Sequence, residues 1–417
     1  MNQPFMPVLE SFTRDWPDLG AAYGTATGAA GALLRHDDAV LPVLTRLATH
    51  RTARDELLRA VATLAGAPRE LARHGPPQLG RVAALLPPHN LLLSFVVHGL
   101  VPALYADEVV LRPTERTQHT ANALHKALTK HLDPALMERV QLTDATPEEF
   151  APVCAEADAV VCWAGPDGAR ATMTAIGERP LFLALGPAPD PLVIGPRTDP
   201  AAACRAVLRA RLHNSGQDRL CPDVVFVHRL RLDALVERLR AELSVLTVGV
   251  RTWPDTVLTS MIYIEAVERT ARFLEENAAH VVTGGTADPD RMLVEPTLLV
   301  LPESPAFHPP ELLAPVFCLV PYDDPALIRE WARAPEELDR GRYASVLGEP
   351  RLTGETLGTA ALLRNTTAHD AEDGNRPFGG FGPHAGGVRH DGRLLGRPLL
   401  LSQEAALRRP VITGPLR

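Results

Sequence analysis

The chain has 417 residues and a formal net charge of −8. This acidic balance disfavours nucleic acids and anionic membranes as main partners, because both need a basic surface, so we expect neither. The content of 46% hydrophobic and 22% charged residues is that of an ordinary globular protein. No apolar run approaches the roughly 18 residues of a membrane span, and the length suits two domains.

The cysteines are scattered, and their number is odd. This pattern argues against a disulfide framework or a zinc knuckle, and no metal site is predicted. The N-terminus has no basic stretch followed by an apolar core, so we expect residence in the cytoplasm.

Residues 1 to about 80 are predicted to be helical. The apolar spacing over 38–48 and 55–65 fits one buried stripe that ends near the turn signal at Gly66. From Arg81, short apolar runs alternate with amphipathic helices, and the runs lie at 82–86, 108–112, 157–163 and 181–185. This rhythm predicts an α/β fold with a parallel sheet covered on both faces, an architecture typical of nucleotide-binding domains.

A second βα series follows the proline-rich turn at Gly186. Its predicted helices cover 201–212, 233–243 and 257–279, and its predicted strands cover 223–227, 295–301 and 314–320. We place the domain boundary near Pro191, which gives an N-terminal dinucleotide-binding-type domain at 1–190 and a catalytic-type α/β domain at 191–385. Residues 386–417 are assigned to a C-terminal arm, in which 398–401 is a candidate edge strand that pairs with another subunit.

Several short blocks stand in a fixed order along the chain: Pro88-His89-Asn90, Arg112-Pro113-Thr114-Glu115, the loop 162–168, the segment 183–187, Asn214-Ser215-Gly216-Gln217, Gly284-Gly285, Glu295-Pro296-Thr297, 310–316, Asn365 and Pro377-Phe378-Gly379-Gly380. Their order and spacing over residues 86–404 resemble the aldehyde dehydrogenase superfamily, and the chain is identified as a divergent member. The resemblance implies that family's fold, with a dinucleotide-binding domain, a second α/β domain that carries the nucleophile loop, and a terminal arm that pairs subunits.

The resemblance also implies a cofactor site for NAD or NADP. Glu115 and Arg112, an arginine in place of the family's lysine, would bind the adenosine ribose, and Glu311 would bind the nicotinamide ribose. Gly165 and Gly168 would let the backbone approach a phosphate. The loop that carries these glycines is one residue short and lacks the family's serine, so cofactor binding is predicted to be weakened or lost. A plain βα turn is the other interpretation of this loop.

The catalytic positions depart from the family. Asn90 stands where an asparagine amide helps to hold a developing oxyanion. Arg219 stands where the family has its reactive cysteine, and Ala184 stands where it has the glutamate base. A guanidinium cannot attack a carbonyl carbon or carry a thioester, so oxidation of aldehydes by the usual route is not expected.

Arg219 has several interpretations. It is a decayed position paired with Asp218 or Asp223, an artificial substitution, or an anion-binding group at the floor of a substrate tunnel that grips a carboxylate or phosphate. Cys221, a low-ranked candidate for displaced chemistry, would move the sulfur by about 6 to 7 Å along an extended chain, which favours a packing role. His89 and His213 flank the site and are weak candidates for acid–base chemistry.

Whether the chain is an enzyme stays open at this point. The leading hypothesis is non-oxidative binding or conversion of a small carbonyl or carboxylate compound in specialised, biosynthetic metabolism. One alternative is a non-catalytic partner of an active enzyme, and another is an NAD(P)-dependent oxidoreductase of aldehydes or acyl-CoA that uses Cys221. A homodimer is expected.

Overall fold

The computed structural model describes residues 18–408. The chain begins with three helices, α1 (Leu19–Arg35), α2 (Asp37–Leu44) and α3 (His50–His74). The side chains of Asp18 and Thr49 cap the first turns of α1 and α3. The predicted end of the third helix near Gly66 is wrong. α3 runs through Pro68 and ends at Gly75, whose φ of 57° is the left-handed conformation that glycine adopts without strain.

The first sheet confirms the predicted parallel α/β unit. Its parallel strands are β1 (Leu79–Leu85), β2 (Ala106–Arg112), β3 (Val140–Leu142), β4 (Ala159–Trp163) and β5 (Leu181–Leu185). The helices between them are α4 (Leu91–Phe95), α5 (Gln118–His131), α6 (Pro134–Met137), α7 (Pro147–Glu156) and α8 (Pro166–Ala175). The two faces of the sheet bury separate apolar clusters, one with α3, α4 and α5 and the other with α7 and α8.

The second sheet begins at Pro191, after the proline-rich connection. Its strands are β6 (Pro191–Ile194), β7 (Val224–His228), β8 (Val281–Thr283), β11 (Thr297–Val300), β12 (Val316–Tyr322), β13 (Tyr343–Leu347) and β14 (Ala361–Arg364), and a separate two-stranded ribbon joins β9 (Ala287–Asp288) to β10 (Leu293–Val294). The helices are α9 (Pro200–Arg211), α10 (Arg229–Leu243), α11 (Ile264–Glu276), α12 (Ala326–Trp331), α13 (Pro335–Arg340) and α14 (Ala368–Ala371). The order is β14-β13-β6-β7-β12-β11-β8, parallel except for β8.

The long helix predicted over 257–279 is wrong in its first third, because only α11 is helical there. Backbone groups of the preceding segment are used elsewhere: the N–H of Ile262 donates to the Gln217 side chain, and the N–H of Thr259 donates to Ser215 Oγ. Tertiary contacts therefore override the local helical pattern.

The segment assigned to a C-terminal arm extends the first sheet over its described part. β15 (Gly386–His390) pairs antiparallel with β5, and β16 (Arg393–Gly396) pairs with β15 as the edge strand. The candidate strand at 398–401 is wrong, because α15 (Leu401–Leu407) begins inside it. Pairing of this region with a second subunit stays a prediction. Over residues 18–408, none of the helices combines the length and the apolar character that crossing a bilayer demands.

Candidate functional site

The loop after α9 turns sharply. Asn214 and Ser215 have φ angles of 47° and 57°, and Gly216 follows with a φ of 79°. A Cβ on Gly216 would lie 2.5 Å from the backbone of Ala314, so only glycine allows this close approach. The sequence 214–217 therefore encodes a backbone shape that brings residues 217–221 into the interior of the molecule.

Buried polar contacts fix this loop from both domains. The N–H of Asn214 donates to Thr52 Oγ1 of α3 at 3.1 Å. The fully buried side chain of Gln217 accepts from the N–H of Ile262 at 2.7 Å and donates to the carbonyl of Asn214. The loop is therefore held before any ligand arrives.

Two buried arginines pin the loop by its carbonyl groups. Arg211 is 1% exposed and pairs with Asp223 at 3.1 Å, and it also donates to the carbonyls of residues 221, 222 and 314. Arg342 is fully buried, pairs with Asp190 at 3.1 Å, and donates to the carbonyl of Arg219. Every contact of these guanidinium groups serves structure.

Asp218 lies at the centre of the site. Its Oδ2 accepts from Asn90 Nδ2 at 2.7 Å, and its Oδ1 accepts from the N–H of Leu220 at 2.8 Å. His369 of α14 places Nε2 3.3 Å from Asp218 Oδ1. Burial opposes ionisation of Asp218, but the contact with His369 and its charge hold the pKa of Asp218 well below its usual value.

Asn90 is therefore engaged by a protein carboxylate. Asn90 is the residue that precedes α4, and its φ is 50°. This is the left-handed region, which asparagine tolerates better than most residues. An amide has two N–H donors, and one of them binds Asp218. The role that the resemblance implied for Asn90 is thus restricted to its other N–H.

Arg219 is partly buried, with its guanidinium directed into the protein. Its Nε and Nη1 are shielded from solvent and make no hydrogen bond within residues 18–408. Over the same residues it has no ion pair with Asp218 or Asp223, the partners that a decayed position was predicted to have. Its charge reaches His89 and Tyr263, because it lowers the pKa of each.

Tyr263 covers this part of the site. Its hydroxyl donates to the carbonyl of Pro88 at 2.9 Å, and the guanidinium of Arg116 lies 5.5 Å from its ring centre. Burial raises the pKa of Tyr263 well above its usual value, against the opposing effect of Arg219. This phenol therefore stays neutral and acts as a hydrogen-bond donor.

The two histidines predicted as weak acid–base candidates are both neutral at pH 7. Burial lowers the pKa of His89 to about 4, and Arg219 lowers it further. Burial also lowers the pKa of His213 to about 3. His369, which the sequence did not single out, differs. Burial lowers its pKa as well, but Asp218 and Cys221 outweigh burial and raise it to about 10.

Cys221 is buried. Its Sγ lies 3.7 Å from the carbonyl oxygen of His213, to which it donates, and its backbone carbonyl accepts from Arg211. These contacts favour the packing interpretation of Cys221 over displaced chemistry.

Ala184 lies on the face of the first sheet that packs against α7 and α8, beside Cys162 and Phe182. The assignment of Ala184 to the position of the missing base stays a prediction. Leu183 and Leu185, the neighbours of Ala184 in β5, line a cavity that His89 and Asn90 also border. Both are leucines, so neither supplies a base there.

The residues predicted for the cofactor lie at the carboxyl ends of the first sheet and across the groove from it. Arg112 ends β2 and donates to the carbonyl of Ala145 at 2.7 Å, while Glu115 is exposed. Gly165 caps α8 and has open space around its Cα, and Gly168 lies in the first turn. Glu311 belongs to the second domain and has one carboxylate oxygen buried without a hydrogen bond within the described part of the chain.

Two cavities flank the loop. One, of about 100 Å³, is mainly apolar and is bordered by His89, Asn90, Trp163 and Phe378. The other, of about 470 Å³, lies between α3 and α9, and Arg51, Arg205, His213 and His369 are among its walls. Arg219 lines neither of these two cavities. The predicted position at the floor of a tunnel therefore has no counterpart in either.

The fold and the site together define an α/β protein with two sheets, in which the loop after α9 is held by contacts with α3 and with the segment before α11. The model of the aldehyde dehydrogenase family matches residues 50–393. The chain therefore belongs to the aldehyde dehydrogenase family, which confirms the identification made from the motif blocks.

Solved structures agree with this fold. Glyceraldehyde-3-phosphate dehydrogenase GapN from Methanocaldococcus jannaschii, complexed with NADP, superposes with a TM-score of 0.76 at 16% identity, over 95% of this chain and 89% of that one. Succinic semialdehyde dehydrogenase from Streptococcus pyogenes, in complex with NADP+, gives 0.77 at 14% identity, over 97% and 93%. An aldehyde dehydrogenase from Bacillus cereus gives 0.76 at 17% identity, over 95% and 85%.

Proposed function

We propose that this family member binds a small carbonyl or carboxylate compound through Arg219 and does not oxidise aldehydes through a cysteine thiohemiacetal. The observation that carries this proposal is the guanidinium of Arg219, which is shielded from water at two nitrogens that have no hydrogen-bond partner within residues 18–408. Buried N–H groups without a partner are costly, and a folded protein seldom keeps them without a ligand. A carboxylate, which accepts two parallel N–H bonds from a guanidinium, is the ligand chemistry that fits.

The neighbours of Arg219 support the same interpretation. Asn90 has a second amide N–H beyond the one that binds Asp218. A donor of this kind stabilises a carbonyl oxygen or a carboxylate. Glu311 is another charged group with an unsatisfied atom, and its charge also acts on Tyr263. Arg219 and Glu311 nevertheless form no ion pair within the described residues. Because they do not pair, we assign Arg219 to a ligand rather than to Glu311.

Non-oxidative chemistry follows from the residues that surround the site. Covalent catalysis of aldehyde oxidation needs a thiolate within reach of the oxyanion donor. Cys221 is engaged with the carbonyl of His213, and β5 presents leucines to the cavity. The chain keeps groups that bind and polarise a carbonyl compound, and this supports binding or conversion without hydride transfer in a biosynthetic setting.

We further propose that NAD or NADP binds weakly. The N-terminus of α8 has Pro166 at its first position, which removes one N–H donor, and Asp167 adds a negative charge where a pyrophosphate would approach. Arg219 would also face the positively charged nicotinamide of the oxidised cofactor. The fold of relatives crystallised with NADP is retained, so Arg112, Glu115 and Glu311 are the residues that would hold the dinucleotide.

Reduced-nicotinamide absorbance tests this proposal. Wild-type protein with NAD or NADP and a panel of aldehydes and acyl thioesters is expected to form no reduced or oxidised cofactor above the rate without protein. The Cys221→Ala variant serves as the matched control. Turnover by the wild type that disappears in Cys221→Ala would restore the displaced-thiol mechanism and refute this proposal.

A second function is favoured by one observation, the position of β16. It forms the outer edge of the first sheet, and Leu395 within it is 51% exposed. An unpaired edge is a template for another strand, so a homodimer, or a complex in which this chain supports an active relative, would use it. Sedimentation of the wild type distinguishes a homodimer from a chain that pairs only with an active relative. Leu394→Pro, which removes an N–H from the edge strand, should weaken either assembly. A monomeric wild type that also fails to capture an active relative would exclude this role.

A further inference from the structure

His213, Asp218 and His369 form a cluster that the family resemblance does not explain. One nitrogen from each histidine and one carboxylate oxygen lie within 4.8 Å of one another. The two imidazole rings are 4.4 Å apart between centres, with 38° between their planes. Two segments that are distant in sequence, the loop after α9 and α14, thus bring together two nitrogen donors and one oxygen donor.

His369 supplies an independent sign that a ligand is missing from this cluster. The residue is only 6% exposed, yet neither of its ring nitrogens makes a hydrogen bond within the described residues. Nε2 lies 3.3 Å from Asp218 Oδ1, within ion-pair distance, while Nδ1 has no partner within the same residues. A buried ring nitrogen without a partner is unusual.

We propose that His213, Asp218 and His369 bind a divalent transition-metal ion of the zinc type. Two imidazoles and one carboxylate, with a fourth position left open, are the donor set of many catalytic zinc sites. Zinc bonds of about 2.0 to 2.2 Å place neighbouring ligand atoms about 3.3 Å apart in a tetrahedral arrangement. The contact between His369 and Asp218 already has this separation, and the widest pair in the cluster would close by about 1.5 Å, a shift that side-chain rotation supplies.

The surroundings of Asp218 suit a metal ligand. Asn90 Nδ2 binds one carboxylate oxygen, and the N–H of Leu220 binds the other, so the orientation of the carboxylate is fixed by its second contacts. Such outer contacts hold ligands in place and raise metal affinity. Both histidines also line the cavity of about 470 Å³ between α3 and α9, which gives the ion an entry path and leaves its open position toward solvent.

Arginines on the walls of this cavity oppose a cation, but two of them are neutralised. Arg59 pairs with Asp55 at 2.8 Å and with Glu372, and Arg209 pairs with Asp370 at 2.5 Å. Arg51 and Arg205 are exposed at the rim of the cavity. These rim charges favour an anionic molecule at the open coordination position rather than a free cation at the surface.

Titration with Zn2+ and Co2+ tests the site. We expect the full chain, purified with chelator and then titrated by calorimetry, to bind one Zn2+ with micromolar affinity or better, and Co2+ to give the visible absorption of a tetrahedral complex. His369→Gln and His213→Gln should each weaken Zn2+ binding by about a hundredfold, since each removes a direct ligand. His125→Gln, on α5 and away from the cluster, is the matched control and should bind as the wild type does.

Circular dichroism of each variant establishes that it is folded, and His213→Gln, the less buried of the two, keeps the test usable if His369→Gln does not fold. Absence of Zn2+ and Co2+ binding to the folded wild type would overturn the proposal, as would unchanged affinity in folded His213→Gln. The titration contains no carboxylate ligand and no nicotinamide cofactor. Its failure would therefore leave the proposed role of Arg219 untouched, and failure of that role would leave the metal site untouched.

Discussion

Two regions of the molecule each shield nitrogens of an arginine guanidinium from solvent: the junction between the two sheets, and the nucleophile loop. The hydrogen bonding of the two arginines differs. Arg342 at the junction pairs with Asp190 and donates to backbone carbonyls, including that of Arg219. Arg219 in the loop has two buried nitrogens without a partner among the described residues. The same side chain thus serves structure where its donors are satisfied, and is available to a ligand where they are not.

The largest expected effect comes from removing each guanidinium in turn. Arg342→Met should lower the free energy of unfolding by about 3 to 5 kcal/mol, because it leaves Asp190 buried without its counter-ion. Arg219→Met should change stability by less than about 1 kcal/mol, because no protein group loses a partner. Urea unfolding of both variants measures the difference. Equal losses would show that Arg219 is also structural.

A substitution on β5 tests which face of the strand belongs to the site. Ala184→Glu should destabilise the protein by about 3 kcal/mol or more, since its carboxyl would be buried among Cys162 and Phe182. Leu185 lines the cavity beside Trp163, so Leu185→Glu should destabilise the protein less than Ala184→Glu does. Thermal unfolding of the two variants gives the comparison. A well-tolerated Ala184→Glu would support the assignment of that position to the site.

A buried carboxyl group on α3 provides a pH-dependent test of the region behind the loop. Burial raises the pKa of Glu56 to about 7, although the N–H groups of Leu92 and Leu93 partly oppose this. Because the folded state raises the pKa, protonated Glu56 stabilises the fold at pH values below its unfolded pKa of about 4.5. This stabilisation is lost as the pH rises through 7. The unfolding free energy of wild type relative to Glu56→Gln should therefore fall by about 2 to 3 kcal/mol between pH 5 and pH 8. A difference that does not vary with pH would contradict the buried state of Glu56.

The smallest effect is expected at the cofactor groove. Asp167→Asn removes a negative charge from the first turn of α8 and should strengthen NADP binding about two- to fivefold, the effect of one charge at a helix end. Fluorescence titration with NADPH measures it, and Asp133→Asn, at the start of α6, is the control. An unchanged affinity would indicate that the pyrophosphate does not approach α8.

The sequence predicts the fold well and the site only in part. Apolar runs such as 181–185 lie in a covered parallel sheet, and a continuous hydrophobic strand is readable without long-range information. Motif blocks also place Asn90 and Arg219 near each other. They do not reveal that Asp218 takes up the Asn90 amide, or that His369 lies against Asp218, because those contacts join positions more than 100 residues apart.

Errors in the prediction have local causes as well. Pro68 resembles a helix end in sequence, but the packing of Leu64, Ala67 and Leu71 carries α3 past it. The β15–β16 hairpin pairs with β5 from about 200 residues away, which no local signal predicts.

Calorimetric titration with succinate tests the central claim most directly. Wild-type protein should bind succinate, and Arg219→Ala should weaken the affinity about thirtyfold or more, the effect of removing one partner of a desolvated, charge-assisted pair. Arg116→Ala, an exposed arginine paired with Glu265, should bind as the wild type does. If Arg219→Ala and the wild type bind succinate equally well, or if the folded wild type does not bind it, Arg219 is not the anion-binding group of this protein.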